Sequence, residues 1–248
     1  MKKILGIILA RAGSKGIKNK NIVKLGNKPL ISWTIETAIK SKKITDLVLS
    51  TDSKKIAALG KKYSINVPFL RPSKFSNDKT PSVDAIEHTI NFLKKRGKIY
   101  DYVVLLEPTS PFRSHYDIDR SINKILNSSA NALVSVSKID SLNPAFLYKK
   151  TKKNLLKPIK KIKLKYLRRQ DIDSIFFIEG TIYISKISTL LEKRTFCHYN
   201  TIGYEVPKWK SIEIDDILDL ELAKIILKNK KLRKSVWLII LLLQKIKQ

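Results

Sequence analysis

Apolar positions along the first 136 residues alternate between two rhythms. Ile4–Leu9 and residues 47–49, 102–106 and 132–136 are short, unbroken apolar runs, the mark of strands buried on both faces. Between them the spacing changes to three and four. Ile31, Ile35, Ala38 and Ile39 share one helical face. So do Val83, Ile86, Ile90 and Leu93, and again Ile118, Ile122, Ile125 and Leu126. Strand and helix in turn predict βαβ units and an α/β fold with a Rossmann-like, mainly parallel central sheet flanked by helices. Right-handed crossovers then put the carboxyl ends of the strands, and any ligand crevice, along one edge.

The rhythm fades over residues 138–170, which predicts a long irregular arm. Regular structure is expected to resume at residues 180–184. A last helix opens near Asp216, with Leu218, Leu222, Ile225 and Ile226 on its apolar face. The expected division is one domain over residues 1–232, with an arm at about 138–174, and a basic and apolar tail over 233–248.

The composition supports one sizeable core, since 43% of the 248 residues are hydrophobic. Charge complicates the picture. Fifty Lys and Arg face 21 Asp and Glu, for a formal net charge of +29. Such a balance invites a nucleic-acid reading. Against it, 41 of the basic residues are Lys and only nine are Arg. Base readout and bidentate phosphate contacts favour Arg, so an AT-rich coding bias is the cheaper explanation. The expectation is therefore no nucleic-acid partner. The lone Cys197 excludes a disulfide framework and suits a reducing cytoplasm. Two basic residues ahead of Ile4–Leu9 mimic a secretion signal, but the apolar run is too short and enters a Gly/Lys loop. The run at 236–243 is too short to span a bilayer, so no transmembrane segment is expected. The three histidines show no triad or zinc spacing.

The loop after the first apolar run carries the first chemistry. Ala10, Arg11, Gly13, Ser14, Lys15, Gly16, Lys20 and Asn21 form a Gly/Ser turn with three cations. Small residues at a strand's carboxyl end let backbone N–H groups approach phosphate oxygens, and three cations suit a triphosphate. The pattern is neither GxxxxGK[ST] nor GxGxxG. Far along the chain, Glu213 and Asp215 alternate, so a strand there would point both carboxylates to one face. Facing a triphosphate, that pair would suit Mg²⁺ or Mn²⁺, and otherwise it is a solvated acidic edge. Asp219 reads as a first-turn helix residue.

The run Arg-x-x-Ser-Lys-Gly-x-x-x-Lys-Asn at 11–21 resembles the CTP-binding loop of the acylneuraminate cytidylyltransferases, a family that includes legionaminic and pseudaminic acid cytidylyltransferases. Further stretches match that family in order. They are Ser50-Thr51-Asp52; Arg71-Pro72 followed by Asp78, Thr80 and Ser82; Leu105-Leu106-Glu107-Pro108-Thr109-Ser110-Pro111-Phe112-Arg113; Arg168-Arg169-Gln170 with Gly180-Thr181-Ile182-Tyr183-Ile184; and residues 211–215 with Asp219. The resemblance runs from about residue 3 to 228.

This resemblance implies a reaction in which the anomeric hydroxyl of an acidic nine-carbon sugar attacks the α-phosphate of CTP. The products would be a CMP-sugar and pyrophosphate. It implies nucleotide contacts from Ala10, Arg11, Gly13, Ser14, Lys15, Lys20, Asn21, Arg71 and Ser82. Arg11, Lys15, Lys20 and Asp215 would carry catalysis, and Glu213 and Asp215 the metal. Glu107, Thr109, Ser110, Arg113, Arg169 and Glu179 would lie near the sugar. Ser82 also reads as a helix N-cap, and Arg168 and Arg169 as solvated charge. Glu107 and Glu179 stand where the family has Gln and Asn, which points to a differently substituted sugar. The resemblance further implies a homodimer in which the arm reaches the partner subunit. An eight-carbon (Kdo-type) acid, an inactive paralogue and a basic nucleic-acid-binding protein remain alternatives.

Overall fold

The computed structural model describes residues 2–14, 16–139, 147–159 and 174–229. Its centre is a six-stranded sheet in the order β10-β6-β9-β5-β1-β4. The strands are β1 (Ile4–Leu9), β4 (Asp46–Ser50), β5 (Tyr102–Leu105), β6 (Ala132–Ile139), β9 (Ile175–Lys186) and β10 (Thr201–Glu205). β1 runs parallel to β4 and β5, and β10 parallel to β6. β9 alone is antiparallel to both its neighbours. The apolar runs expected to be strands are β1, β4, β5 and β6, and their side chains are buried because helices cover both faces.

α1 (Leu30–Ile39), α2 (Lys54–Lys62), α3 (Ser82–Lys94), α4 (His115–Leu126), α5 (Ile187–Lys193) and α6 (Ile217–Lys228) flank the sheet. On one face Ile31 and Ile35 of α1 and Ile118 and Ile122 of α4 pack against Ile8, Val104 and Ile182. On the other, Val83, Ile86, Ile90 and Leu93 of α3 meet Leu5, Ile7 and Val103. A third cluster joins Ile17, Leu25, Leu30 and Phe112 to Ile214, Leu220 and Ala223. It anchors α6 beside the loop that follows β1.

The structure corrects four expectations. α6 buries Leu220, Ala223 and Ile226, while Leu218, Leu222 and Ile225 are exposed. Apolar residues lie on both sides of this helix, so spacing alone picked a face that shares only Ile226 with the buried one. Residues 211–215 form no strand. Ile214 N donates to Thr109 O at 2.9 Å instead of entering a ladder. Within residues 138–170, β7 (Tyr148–Lys150) and β8 (Leu156–Pro158) form an antiparallel hairpin closed at a left-handed Asn154. Lysines on both strands hid its period-two pattern. Regular structure resumes at Ile175 in β9, earlier than expected.

β2 (Lys24–Leu25) and β3 (Lys28–Pro29) form a small separate ribbon. Among the described residues no helix is long and apolar enough to cross a membrane. Lys15, Arg168, Arg169, Gln170 and the tail at 233–248 lie outside the described residues.

Candidate active site

The carboxyl ends of β1, β4 and β5 open into a pocket of about 300 Å³. Three chain segments wall it: the loop after β1, the connection from α2 into the first turn of α3, and the loop after β5. The first contributes Leu9, Arg11, Ser14, Lys20 and Asn21, the second Arg71, Phe75, Asp78, Thr80 and Ser82, and the third Glu107 and Thr109.

The loop after β1 is held from both sides. Ala10 is buried and its N–H donates to Ser50 O at 3.1 Å. Ala12 N donates to Asp52 Oδ1 at 2.8 Å. Asn21, also buried, donates from Nδ2 to Arg11 O at 2.9 Å. Asn21 thus shapes the loop from beneath. Gly13 is exposed at the turn, with open space around it. At Gly16 the backbone passes so close to the carbonyl oxygen of Asp215 that a Cβ would overlap it.

Two cations of this loop, Arg11 and Lys20, are paired with carboxylates across the opening. Arg11 is bonded to Asp78. Lys20 Nζ lies 2.7 Å from Asp215 Oδ1. A second opening is lined by Arg11, Gly16, Lys20, Asp78 and Asp215. Anionic oxygens entering the pocket would therefore compete with Asp78 and Asp215 for the same two cations.

Asp216 caps α6 and Asp219 completes a capping box, with Asp219 Oδ2 also accepting from Asp215 N at 3.0 Å. This leaves the Asp215 carboxylate facing the pocket mouth. Glu213 bonds instead to the backbone N–H of Gly180, where a Cβ would strike its carboxylate. Burial pushes the Glu213 carboxyl above its ordinary pKa, against the pull of that hydrogen bond. Ser82 is the first residue of α3 and makes no capping bond; the N-cap is Pro81.

The loop after β5 is organised by one buried arginine. Arg113 Nε donates to Thr181 O at 2.7 Å, and its Nη1 to Thr34 Oγ1 at 3.0 Å. Its Nη2 donates to Glu107 O at 2.5 Å and Gly180 O at 3.5 Å. The guanidinium therefore ties α1, the loop after β5 and β9 together through its own donors. Burial lowers the Arg113 pKa to about 10, and Glu107 and Glu179 oppose the shift. Burial also raises the Glu107 pKa to about 7, with Arg113 opposing.

Glu179, Gly180 and Thr181 reach this cluster because β9 bulges away from β6 between Val134 and Val136. Ser135 Oγ fixes the bulge, accepting from Ile182 N at 2.8 Å and donating to Glu179 O at 3.0 Å. Bulges beside a site re-aim backbone groups in this way. Glu179 is buried and bonds to Thr181. Its Oε1 and the Ser110 Oγ are buried without a hydrogen-bond partner.

Residues 5–232 match the cytidylyltransferase family. The chain belongs to the cytidylyltransferase family. Curated relatives of this family member include a pseudaminic acid cytidylyltransferase of Campylobacter jejuni, 30% identical over 91% of this chain and 97% of the relative. A CMP-N,N'-diacetyllegionaminic acid synthase of Legionella pneumophila is 33% identical over 90% and 95%. An N-acylneuraminate cytidylyltransferase of Escherichia coli is 31% identical over 94% of this chain, which spans 54% of that longer protein. Among solved structures, a CMP:2-keto-3-deoxy-manno-octonic acid synthetase complexed with CTP superposes with a TM-score of 0.68, over 91% of this chain and 98% of the other. At 15% identity that likeness concerns the fold alone.

The pocket gathers Arg11, Ser14, Lys20, Asn21, Arg71, Ser82, Glu107 and Thr109 from the expected residues. Ala10, Gly13, Ser110, Arg113, Glu179, Glu213 and Asp215 lie outside its lining, Asp215 at the second opening. Sequence reasoning did not single out Phe75, Ser76 or Asn77, which also line it. Their position between Arg71 and Ser82 was the available signal.

Proposed function

We propose that this cytidylyltransferase activates a nonulosonic, sialic-acid-like sugar with CTP for surface glycan biosynthesis. The sugar's anomeric oxygen bonds to the α-phosphorus, the bond to the β-phosphate bridge breaks, and pyrophosphate leaves. The hydroxyl proton is released. No covalent enzyme intermediate is required. Catalysis is positioning and charge neutralisation. The observation that carries this reading is the convergence of Arg11, Lys20, Arg71 and the loop after β5 on one pocket.

Arg11, Ser14, Lys20 and Asn21, with Lys15 from the same loop, would hold the triphosphate. Arg71 and Ser82 would face the nucleotide on the other wall. Glu107 and Thr109 line the pocket where the sugar would enter, with Arg113 and Glu179 supporting that wall from behind. Arg169 is proposed to join the sugar site. Among the described residues no three His, Cys, Asp or Glu side chains gather as a metal cage. Asp215 offers hard carboxylate oxygens beside the phosphate loop, and Glu213, now bonded to Gly180 N–H, would have to turn from that partner to join it in holding Mg²⁺ or Mn²⁺ with phosphates completing the shell. Such a cation, when bound, would neutralise phosphate charge.

Leu155, Leu156, Ile159, Phe176, Phe177 and Ile178 expose apolar surface on the β7–β8 hairpin and on β9. They support a homodimer built on this arm, and sedimentation at half the dimer mass would refute it. CTP chemistry and the free Cys197 suit a cytoplasmic setting. An eight-carbon acid has only the shared fold behind it. The test is mass spectrometry of the products formed from CTP and sialic, legionaminic or pseudaminic acid. A CMP-sugar adduct is expected from at least one, and none from any would end the reading.

A further inference from the structure

Two chemistries share the pocket. Arg11, Lys20 and Ser14 suit phosphate, but another part of the lining is apolar: Phe75, Pro81 and Ala85, with Arg71 among them. Phe75 is the aromatic side chain among the described residues that line this pocket. Once the phosphates of a nucleotide are assigned to the cations, what remains to be placed is a sugar and a flat aromatic base. We infer that Phe75 is the wall against which the nucleobase packs, held rigid for that purpose by aromatic rings of α3; this rests on the CTP reading above.

The ring is supported from behind. Its centroid lies 4.8 Å from that of His88, tilted by 39°. His88 meets Phe69 edge-on at 4.6 Å, and Phe69 meets Phe92 at 4.7 Å. His88 and Phe92 stand on α3, whose Val83, Ile86, Ile90 and Leu93 are locked in the core. Burial, and then the charges of Lys74 and Arg71, push the His88 pKa down, which disfavours a charged ring behind Phe75. The backbone next to Phe75 is fixed as well. Arg71 Nε donates to Ser76 Oγ at 3.0 Å, and Ser76 Oγ donates to Pro72 O at 3.2 Å. Arg71 N donates to Thr51 O at 2.7 Å at the end of β4. A rigid aromatic wall is the cheap way to hold a base, since little side-chain entropy is lost on binding. Lys74 Nζ lies 4.9 Å from the Phe75 centroid. Lys74 is exposed on a long stem, and a base takes over the ring surface that this cation now covers.

The alternative is that Phe75 only plugs its loop against α3. Calorimetric titration separates the two, with CTP and inorganic triphosphate (a ligand with no base) as probes. Phe75→Ala is expected to weaken CTP binding about tenfold or more while triphosphate affinity stays within about twofold. Phe75→Trp should keep CTP affinity near that of the wild type. Unchanged CTP affinity in Phe75→Ala, equal weakening of both ligands, or loss of CTP binding in a folded Phe75→Trp would overturn the inference. If the wild type binds CTP no better than triphosphate, the nucleotide reading falls and this one with it.

Discussion

Lys20 and Glu107 occupy one pocket but face opposite electrostatic problems. Lys20 is mostly buried and spends its charge on Asp215 at 2.7 Å. On the proposed reading, triphosphate oxygens would take that partner's place and the ammonium would already stand where the charge of departing pyrophosphate develops. Lys20→Ala should therefore lower kcat/KM for pyrophosphate release by about a hundredfold or more, with the melting temperature little changed. A drop of less than about threefold would remove Lys20 from the machinery. Glu107 is a carboxyl that burial pushes from 4.5 to about 7. Its charged form is disfavoured in the folded protein, so its ionisation destabilises the fold as pH rises through that window. Glu107→Gln removes the titration. Melting temperatures of the two proteins should be closest near about pH 5, and the variant should gain on the wild type by about pH 8. A constant gap across the range would contradict the shift.

At the scale of elements, the loop after β1 and the segment leading into α6 act as one unit. Gly16 passes against the Asp215 carbonyl with no room for a side chain. Gly16→Ala must push the two apart, and a displacement of about an ångström costs about a hundredfold in rate when positioning is the catalytic device. The check is steady-state turnover beside a thermal melt; full activity would show that the contact is incidental. This coupling was only half legible in the sequence. The phosphate loop could be read because Gly, Ser and cations follow a buried strand, a local pattern with a local cause. The approach of Asp215 could not, because it depends on α6 docking through Leu220 and Ala223. The exposed Leu218, Leu222 and Ile225 pointed to the wrong face. The role of Arg113 was hidden for a similar reason. A surface arginine would meet a substrate carboxylate, but this one is buried and holds backbone carbonyls of a bulge that only tertiary pairing creates. Glu107 and Glu179, read as marks of an unusual sugar, are also charges that offset Arg113.

Across the whole molecule, the architecture and family were legible because every level agreed. Buried runs gave parallel strands, helical spacing gave their covers, and chemistry fell at the strand ends where such folds bind ligands. The net charge of +29 says less than its size suggests. Eleven basic residues lie in the acid-free stretch 149–169 and eight in 224–248, lysine-rich runs that a coding bias explains more cheaply than a polyanion partner. The charges that matter to the proposed chemistry are few and local: Arg11 and Lys20 with their carboxylate partners, and Arg71 on the nucleotide wall. A basic chain could be a polyanion-binding protein or a cytidylyltransferase, but only the second would discriminate between nucleotides. The most direct test is pyrophosphate release from CTP, ATP, GTP and UTP, each with sialic, legionaminic, pseudaminic and Kdo acids. The account predicts release with CTP alone, and only with a nine-carbon acid. Release that ignores the base, that requires Kdo, or that fails with every pair would contradict it.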